Sequence, residues 1–218
     1  MILNILYHGL SCFSIEAKGV NKTTSLVINP FDTKGMGLRL PRTLSAEIVA
    51  IIDNKNKLYN NFSAVSGSEL VVTEPGEYEK GGIFIYGIPV KSDTDEKTEE
   101  SMIFRFEFED MAMAHLGGLK HKLRDESLSE LENIDILLLP VGGGDSIDYK
   151  KAAEIANQIE PRVIIPMQYK MPGLTINLDD VQKFLKEYGT KEETMNKLKI
   201  ARKDLPEEET KVIVLEKA

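Results

Sequence analysis

The feature that most constrains this chain is a change of grammar near residue 125. Up to that point, β-rich runs follow one another across glycine, proline or polar breaks: 2–7, 11–16, 24–29 (ended by Pro30), 46–52, 69–73, 82–88, 101–108 and 111–115. The first three predict an antiparallel meander. Phe104, Phe106 and Phe108 alternate with Arg105 and Glu107, the period of a half-buried strand. Beyond residue 125, helix and strand take turns: a helix over 127–132, a strand over 134–139, a helix over 149–159, a strand over 162–165 and an amphipathic helix over 178–188 that ends before Gly189. The 149–159 helix is marked by Asp148 at its N-cap, by Ala152, Ala153, Ile155, Ala156 and Ile159 on one face, and by Pro161 after its end. Such units lay helices on a sheet, so two similar halves predict an α+β sandwich layered helix/sheet/sheet/helix (αββα).

No linker and no short-period repeat interrupts the 218 residues, which predicts one domain over 1–218. Its charged segment, 191–210, is expected to be partly extended or mobile, and 211–215 reads as a closing strand. With 35 acidic and 27 basic side chains the formal net charge is −8, which disfavours a phosphate backbone as partner. We expect no nucleic acid. No stretch approaches the ~20 apolar residues that cross a bilayer, and the mean hydropathy is −0.21, so no membrane partner is expected. A single cysteine, Cys12, excludes an intrachain disulfide framework and suits a reducing compartment, the cytoplasm.

Segments spread over nearly the whole chain resemble the metallo-β-lactamase superfamily, in particular its compact branch of Zn-dependent hydrolases that includes L-ascorbate-6-phosphate lactonase-like proteins. They are Tyr7-His8-Gly9-Leu10-Ser11-Cys12-Phe13, Ile28-Asn29-Pro30-Phe31, Pro75-Gly76-Glu77-Tyr78-Glu79, His115-Leu116-Gly117-Gly118-Leu119, Leu139-Pro140-Val141-Gly142-Gly143-Gly144 and Ile165-Pro166-Met167-Gln168-Tyr169-Lys170. The resemblance implies a four-layer sandwich of two mixed sheets flanked by helices. It also implies a metal loop, reading His-x-His-x-Asp-His, after the apolar run 46–52. What stands there is Asp53-Asn54-Lys55-Asn56-Lys57-Leu58. At the family's other ligand positions the chain carries Ser92-Asp93 for a His-Asp pair, Gly118 for a bridging aspartate and Gln168 for a histidine.

A catalytic zinc needs at least three lone-pair donors and an open position, and an ammonium is no donor. Only three histidines exist, His8, His115 and His121, at spacings unlike the family's loop. A carboxylate set from Asp32, Asp53 and Asp93 is conceivable, but Lys55 and Lys57 would repel the cation. We therefore expect an intact fold whose former metal pocket holds Asp53, Lys55, Lys57, Leu58, Ser92, Asp93, Gly118 and Gln168, with no metal and no cofactor. The two lysines are either a solvated pair or ammonium groups neutralising Asp53 or Asp93.

Other candidates read more plainly. His115 is expected to be buried and bonded to backbone, His121 exposed, and Cys12 a small buried hydrophobe rather than half of a Cys/His pair with His8. Gly142-Gly143-Gly144 before a helix invites a phosphate loop but lacks the following Lys-Ser/Thr. Glu77 and Glu79 read as solvated turn carboxylates. Asp53 begins no EF-hand, because the third position is Lys55 and the glycine is missing.

Two functions stay open. One is a non-catalytic binding, scaffolding or regulatory protein whose partner is an unknown protein or a small anionic ligand, self-association being common in this fold. The other is a hydrolase of a small lactone or phosphoester, with an atypical metal set, metal-free chemistry or ligands from another subunit.

Overall fold

The computed structural model describes residues 1–56, 59–90 and 101–218. The first half of the chain supplies β1 (Ile2–Gly9), β2 (Cys12–Lys18), β3 (Thr23–Ile28), β4 (Leu44–Ser45), β5 (Ile48–Ala50), β6 (Val65–Ser66) and β7 (Leu70–Val72). The meander expected from residue 2 onward is present as the antiparallel pairs β1–β2 and β2–β3, and β5 and β7 join it in parallel. The pairing of β1 with β2 shifts register at His8, between Tyr7 and Gly9.

The second sheet is built from β8 (Gly76–Lys80), β9 (Ile83–Val90), β10 (Ser101–Phe108), β11 (Met111–His115), β12 (Ile136–Pro140), β13 (Val163–Met167), β14 (Glu192–Met195) and β16 (Lys211–Leu215); β15 (Leu198–Ala201) returns to the first sheet beside β1. Strands β8 to β11 pair antiparallel, and β11, β12, β13, β16 and β14 pair in parallel, so the sheet is mixed. Helices α1 (Asp125–Ser129), α2 (Tyr149–Ile159) and α3 (Val181–Tyr188) complete the set.

One large apolar cluster joins Leu3, Ile5, Tyr7 and Phe13 of the first sheet to Phe104, Phe106 and Phe108 of the second and to Ala152 and Ile155 of α2. A second cluster, with Cys12, Val27, Val49, Met36 and Leu38, lies on the other face of the first sheet, where loop residues and the β4–β6 ribbon form the covering layer. The α+β sandwich class stands. Among the described residues no helix is long and apolar enough to cross a membrane.

Helix α2 has the expected bounds because every signal for it is local. Asp148 accepts from the amides of Lys150 (3.1 Å) and Lys151 (2.9 Å), and Glu160 closes the helix in the left-handed conformation before Pro161. Helix α3 starts later than 178. Lys170 N donates to Asp179 O and Asp179 N donates to Gly142 O, both at 2.8 Å, so these residues are held by tertiary bonds until Asp180 caps the helix. Helix α1 sits two residues early and is followed by turns. Glu77 and Glu79 are exposed as expected, but they lie on the edge strand β8 rather than in a turn, because the hairpin reverses at Gly81-Gly82 and Glu79 accepts from Gly82 N (2.8 Å).

The charged segment has a structural role that its composition hides. Its strands β14 and β15 belong to different sheets, so it bridges the sandwich, and Arg202 then reaches Asp135 at the start of β12. Asp135 is buried. Both of its oxygens accept from Arg202 at 2.8 Å, Oδ2 accepts from Ala112 N at 2.9 Å, and Arg162 lies 3.4 Å from Oδ1. Removing this carboxylate strands an amide donor, while the half-exposed arginines keep their water. Asp135→Ala is therefore expected to destabilise by about 2 kcal/mol. Urea denaturation measures it; an unchanged midpoint would show that the clamp contributes nothing.

Candidate functional site

The candidate site forms where strand exits of both sheets meet. Strand β5 delivers the buried Ile51 and Ile52 and then turns sharply, as its apolar run breaking into polar residues predicts. Asn29, in the left-handed region at φ 45°, fixes this exit: its Oδ1 accepts from Ile52 N (2.9 Å) and its Nδ2 donates to Ser11 Oγ (3.1 Å). The turn after β1 and the exit of β5 are thereby locked together.

Asp53 is engaged in its own turn through one oxygen. Its Oδ1 accepts from the backbone amides of Lys55 (3.0 Å) and Asn56 (3.1 Å), so it holds its own turn. Lys55 is exposed. Asp32 likewise accepts from Lys34 N (2.9 Å). Lys57, Leu58, Ser92 and Asp93 lie outside the described residues, so the pairing expected of Lys57 and Asp93 lies there too. Gly118 has φ +80°, and a Cβ there would come within 3.2 Å of Ile52 Cγ2, which places the 118 turn against the β5 exit.

Gln168 completes the junction. It follows β13, is buried and has φ 52°; its amide N donates to Leu10 O (2.8 Å), which also accepts from the Tyr7 hydroxyl (2.9 Å). Its side-chain Nε2 donates to the hydroxyl of buried Tyr59 (3.2 Å), while its Oε1 is buried with no partner. Positions matched to the metal loop, the bridging turn and the last ligand thus converge, except those outside the described residues. Tyr59 was not foreseen. The only trace of it in sequence is an aromatic hydroxyl closing a polar loop.

Between these elements lies a cavity of about 150 Å³, with Leu10, Ile176 and Leu178 as apolar wall and Tyr59, Ser146 and Gln168 as polar lining. Asp145 and Asn177 also border it. Burial, with the charges of Asp145 and Asp53 adding to it, pushes the Tyr59 phenol up to about 12. It stays protonated near neutrality. Gly142 stands beside this cavity because nothing larger fits: a Cβ would lie 2.1 Å from Gln168 O. The glycine amides offer no phosphate cradle, since Gly143 N donates to Ile147 O (3.2 Å) and Asp148 occupies the first amides of α2.

Neither buried histidine is a base. His115 Nε2 donates to Ser11 O (2.9 Å) and its Nδ1 accepts from Gly117 N (3.2 Å), a pairing that only the neutral ring makes. Burial lowers it to about 4. His8 bonds Ser14 Oγ through Nε2 (2.8 Å), leaves Nδ1 unpartnered, and is lowered to about 4 by burial and then by Lys217. Cys12 is fully buried and burial drives its thiol far up, which removes it as a nucleophile. His121 is half-buried rather than exposed. Among the described residues no three His, Cys, Asp or Glu side chains are grouped to hold a metal ion.

The depressed histidines give a pH signature. In the unfolded chain each binds a proton near 6.5, whereas in the fold each stays neutral until about pH 4. Their contribution is complete above about pH 6.5 and is lost as the pH falls toward 4, on the order of 3 kcal/mol per histidine. Chemical denaturation between pH 7 and pH 4 measures this. His115→Gln should make the fall shallower by one group's share; an equally steep fall would show that His115 is not buried neutral.

Comparison with known proteins agrees with this geometry. Residues 4–168 match the β-lactamase superfamily domain. A UPF0173 metal-dependent hydrolase from Pyrococcus abyssi is 30% identical over 145 residues, 64% of this chain and 63% of that one. A UPF0173 protein of the same organism is 26% identical over 189 residues, 78% and 85% of the two chains. A Thermotoga maritima crystal structure, named for the Zn-dependent hydrolases of the metallo-β-lactamase superfamily, superposes with a TM-score of 0.77 at 32% identity over 98% of both chains. The two mixed sheets, the converging strand exits and these matches together place the chain in the metallo-β-lactamase superfamily.

Proposed function

We propose that this chain keeps the hydrolase scaffold of its superfamily without the metal chemistry, and serves as a non-catalytic binding, scaffolding or regulatory protein. The observation that carries the reading is the Gln168–Tyr59 hydrogen bond. At the position matched to a ligand histidine stands an amide whose Nε2 is bonded to a phenol, so that its carbonyl oxygen is the one lone-pair donor in place of an imidazole. The zinc that the family implies does not fit the described positions. They offer at most two donor residues, the amide oxygen of Gln168 and the carboxylate of Asp53, beside a glycine and an exposed ammonium, whereas zinc needs at least three. The single buried cysteine supports a cytoplasmic setting.

The names of the relatives favour a second reading, a hydrolase of a small lactone or phosphoester working with an atypical metal set or without metal. Against it stand the neutral, weakly basic histidines and a cavity whose described lining carries no cation for an anionic substrate. Elemental analysis of protein purified without added zinc, beside an assay on lactones and phosphoesters, separates the readings. The expected result is well under one equivalent of transition metal per chain and no turnover above the uncatalysed rate. About one or two equivalents of tightly held metal with turnover would overturn the proposal.

A further inference from the structure

The cavity beside Gln168 is small, partly open to solvent and walled on one side by apolar side chains. Leu10, Ile176 and Leu178 supply the wall, Gln168 lies in its lining, and Asp145 borders it. Asp145 is the one charged side chain in its described lining, and it is acidic. No described lining residue is cationic.

Gln168 adds a specific demand. The side chain is 97% buried, its Nε2 is committed to Tyr59, and its Oε1 meets no donor. An acceptor closed off in this way forfeits its water without replacement, a cost that a donor entering the cavity can recover. The phenol of Tyr59 remains protonated, so it does not supply a charge that would favour one ligand sign over the other. The acidic surroundings do: they favour a positive or neutral donor and oppose a carboxylate or phosphate.

We propose that this cavity binds a small ligand whose head group donates an N–H, an amide or an amine, to Gln168 Oε1 and whose compact apolar body packs on Leu10, Ile176 and Leu178. Presenting the oxygen to the ligand takes a rotation of the buried amide that gives up its bond to Tyr59. At about 150 Å³ the space suits a body of roughly benzene size or smaller. This inference rests on the metal-free reading of the site, and it replaces the small anionic ligand expected from sequence by one of opposite preference.

The test uses three near-isosteric probes, isobutyramide, isobutylamine and isobutyrate, titrated into the full chain. Two-dimensional NMR follows the Gln168 side-chain NH₂ and the backbone amides of Gly143 and Gly144, and metal content is measured on the same sample. Saturable shifts with the amide or the amine, at least about tenfold tighter than with isobutyrate, are expected. Gln168→Met, which keeps length but removes the acceptor, should weaken that binding by about tenfold, equal to the loss of one buried hydrogen bond. Ile176→Phe keeps the amide and fills the cavity, and should abolish binding; together the two variants guard against misfolding of either.

Isobutyrate binding as tightly as the amide and the amine, affinity unchanged in Gln168→Met, or no binding by any probe would overturn the inference. If these failures come with a metal-free sample, the donor pocket falls and the non-catalytic reading stands. Tightly held metal in that sample would sink the non-catalytic reading itself.

Discussion

The arrangement of the site depends on one backbone junction, the bond from Gln168 N to Leu10 O. Leu10 and Gln168 both sit in the left-handed region, at φ 52°, a conformation that side chains other than glycine adopt only when their surroundings enforce it. What enforces it is visible. Leu10 O accepts two donors, Tyr7 Oη and Gln168 N, while Gly142 lies so close to Gln168 O that any side chain would collide. The turn of the first sheet, the exit of β13 and the glycine turn after β12 are therefore one unit. Through Tyr59 the same unit reaches the loop after β5.

Under the proposed non-catalytic reading, this junction accounts for a scaffold kept without the metal chemistry. The elements that bring four strand exits to one place are backbone bonds, glycine contacts and the Asn29 bridge, none of which needs a metal. Side chains in the middle of the junction are then free to change as long as they find partners. Asp53 Oδ1 finds them in its own turn and Gln168 Nε2 in Tyr59. The buried histidines follow the same logic: His115 spends both ring nitrogens on backbone groups, and burial rather than any charge keeps it neutral.

What the sequence made legible was local. The alternation of Phe104, Phe106 and Phe108, the capped helix α2 and the meander of β1 to β3 carry their signals within a few residues, and the structure has them where expected. The family resemblance, whose segments run from Tyr7 to Lys170, correctly implied the two mixed sheets. Less legible were features decided by distant partners. Glu77 and Glu79 belong to a strand only because β9 folds back on them, and the split of 192–201 between two sheets depends on β1 and β16. Within the site, Gly118 stands against Ile52 beside the Asp53 turn, and the partner of Gln168 was not foreseen. Tyr59 lies 109 residues away, and no short-range pattern announces such a contact.

The junction makes hydrogen bonds of its own where the superfamily implies a metal. Thermal unfolding of metal-stripped protein, with and without added Zn²⁺, tests it most directly. A site that binds only the folded chain adds about 2.7 kcal/mol when zinc is present at 100 times its dissociation constant, a shift of several degrees in Tm. The expected result is a Tm unchanged by micromolar zinc. A saturable rise that chelator reverses and that Gln168→Leu or Asp53→Ala removes would contradict it.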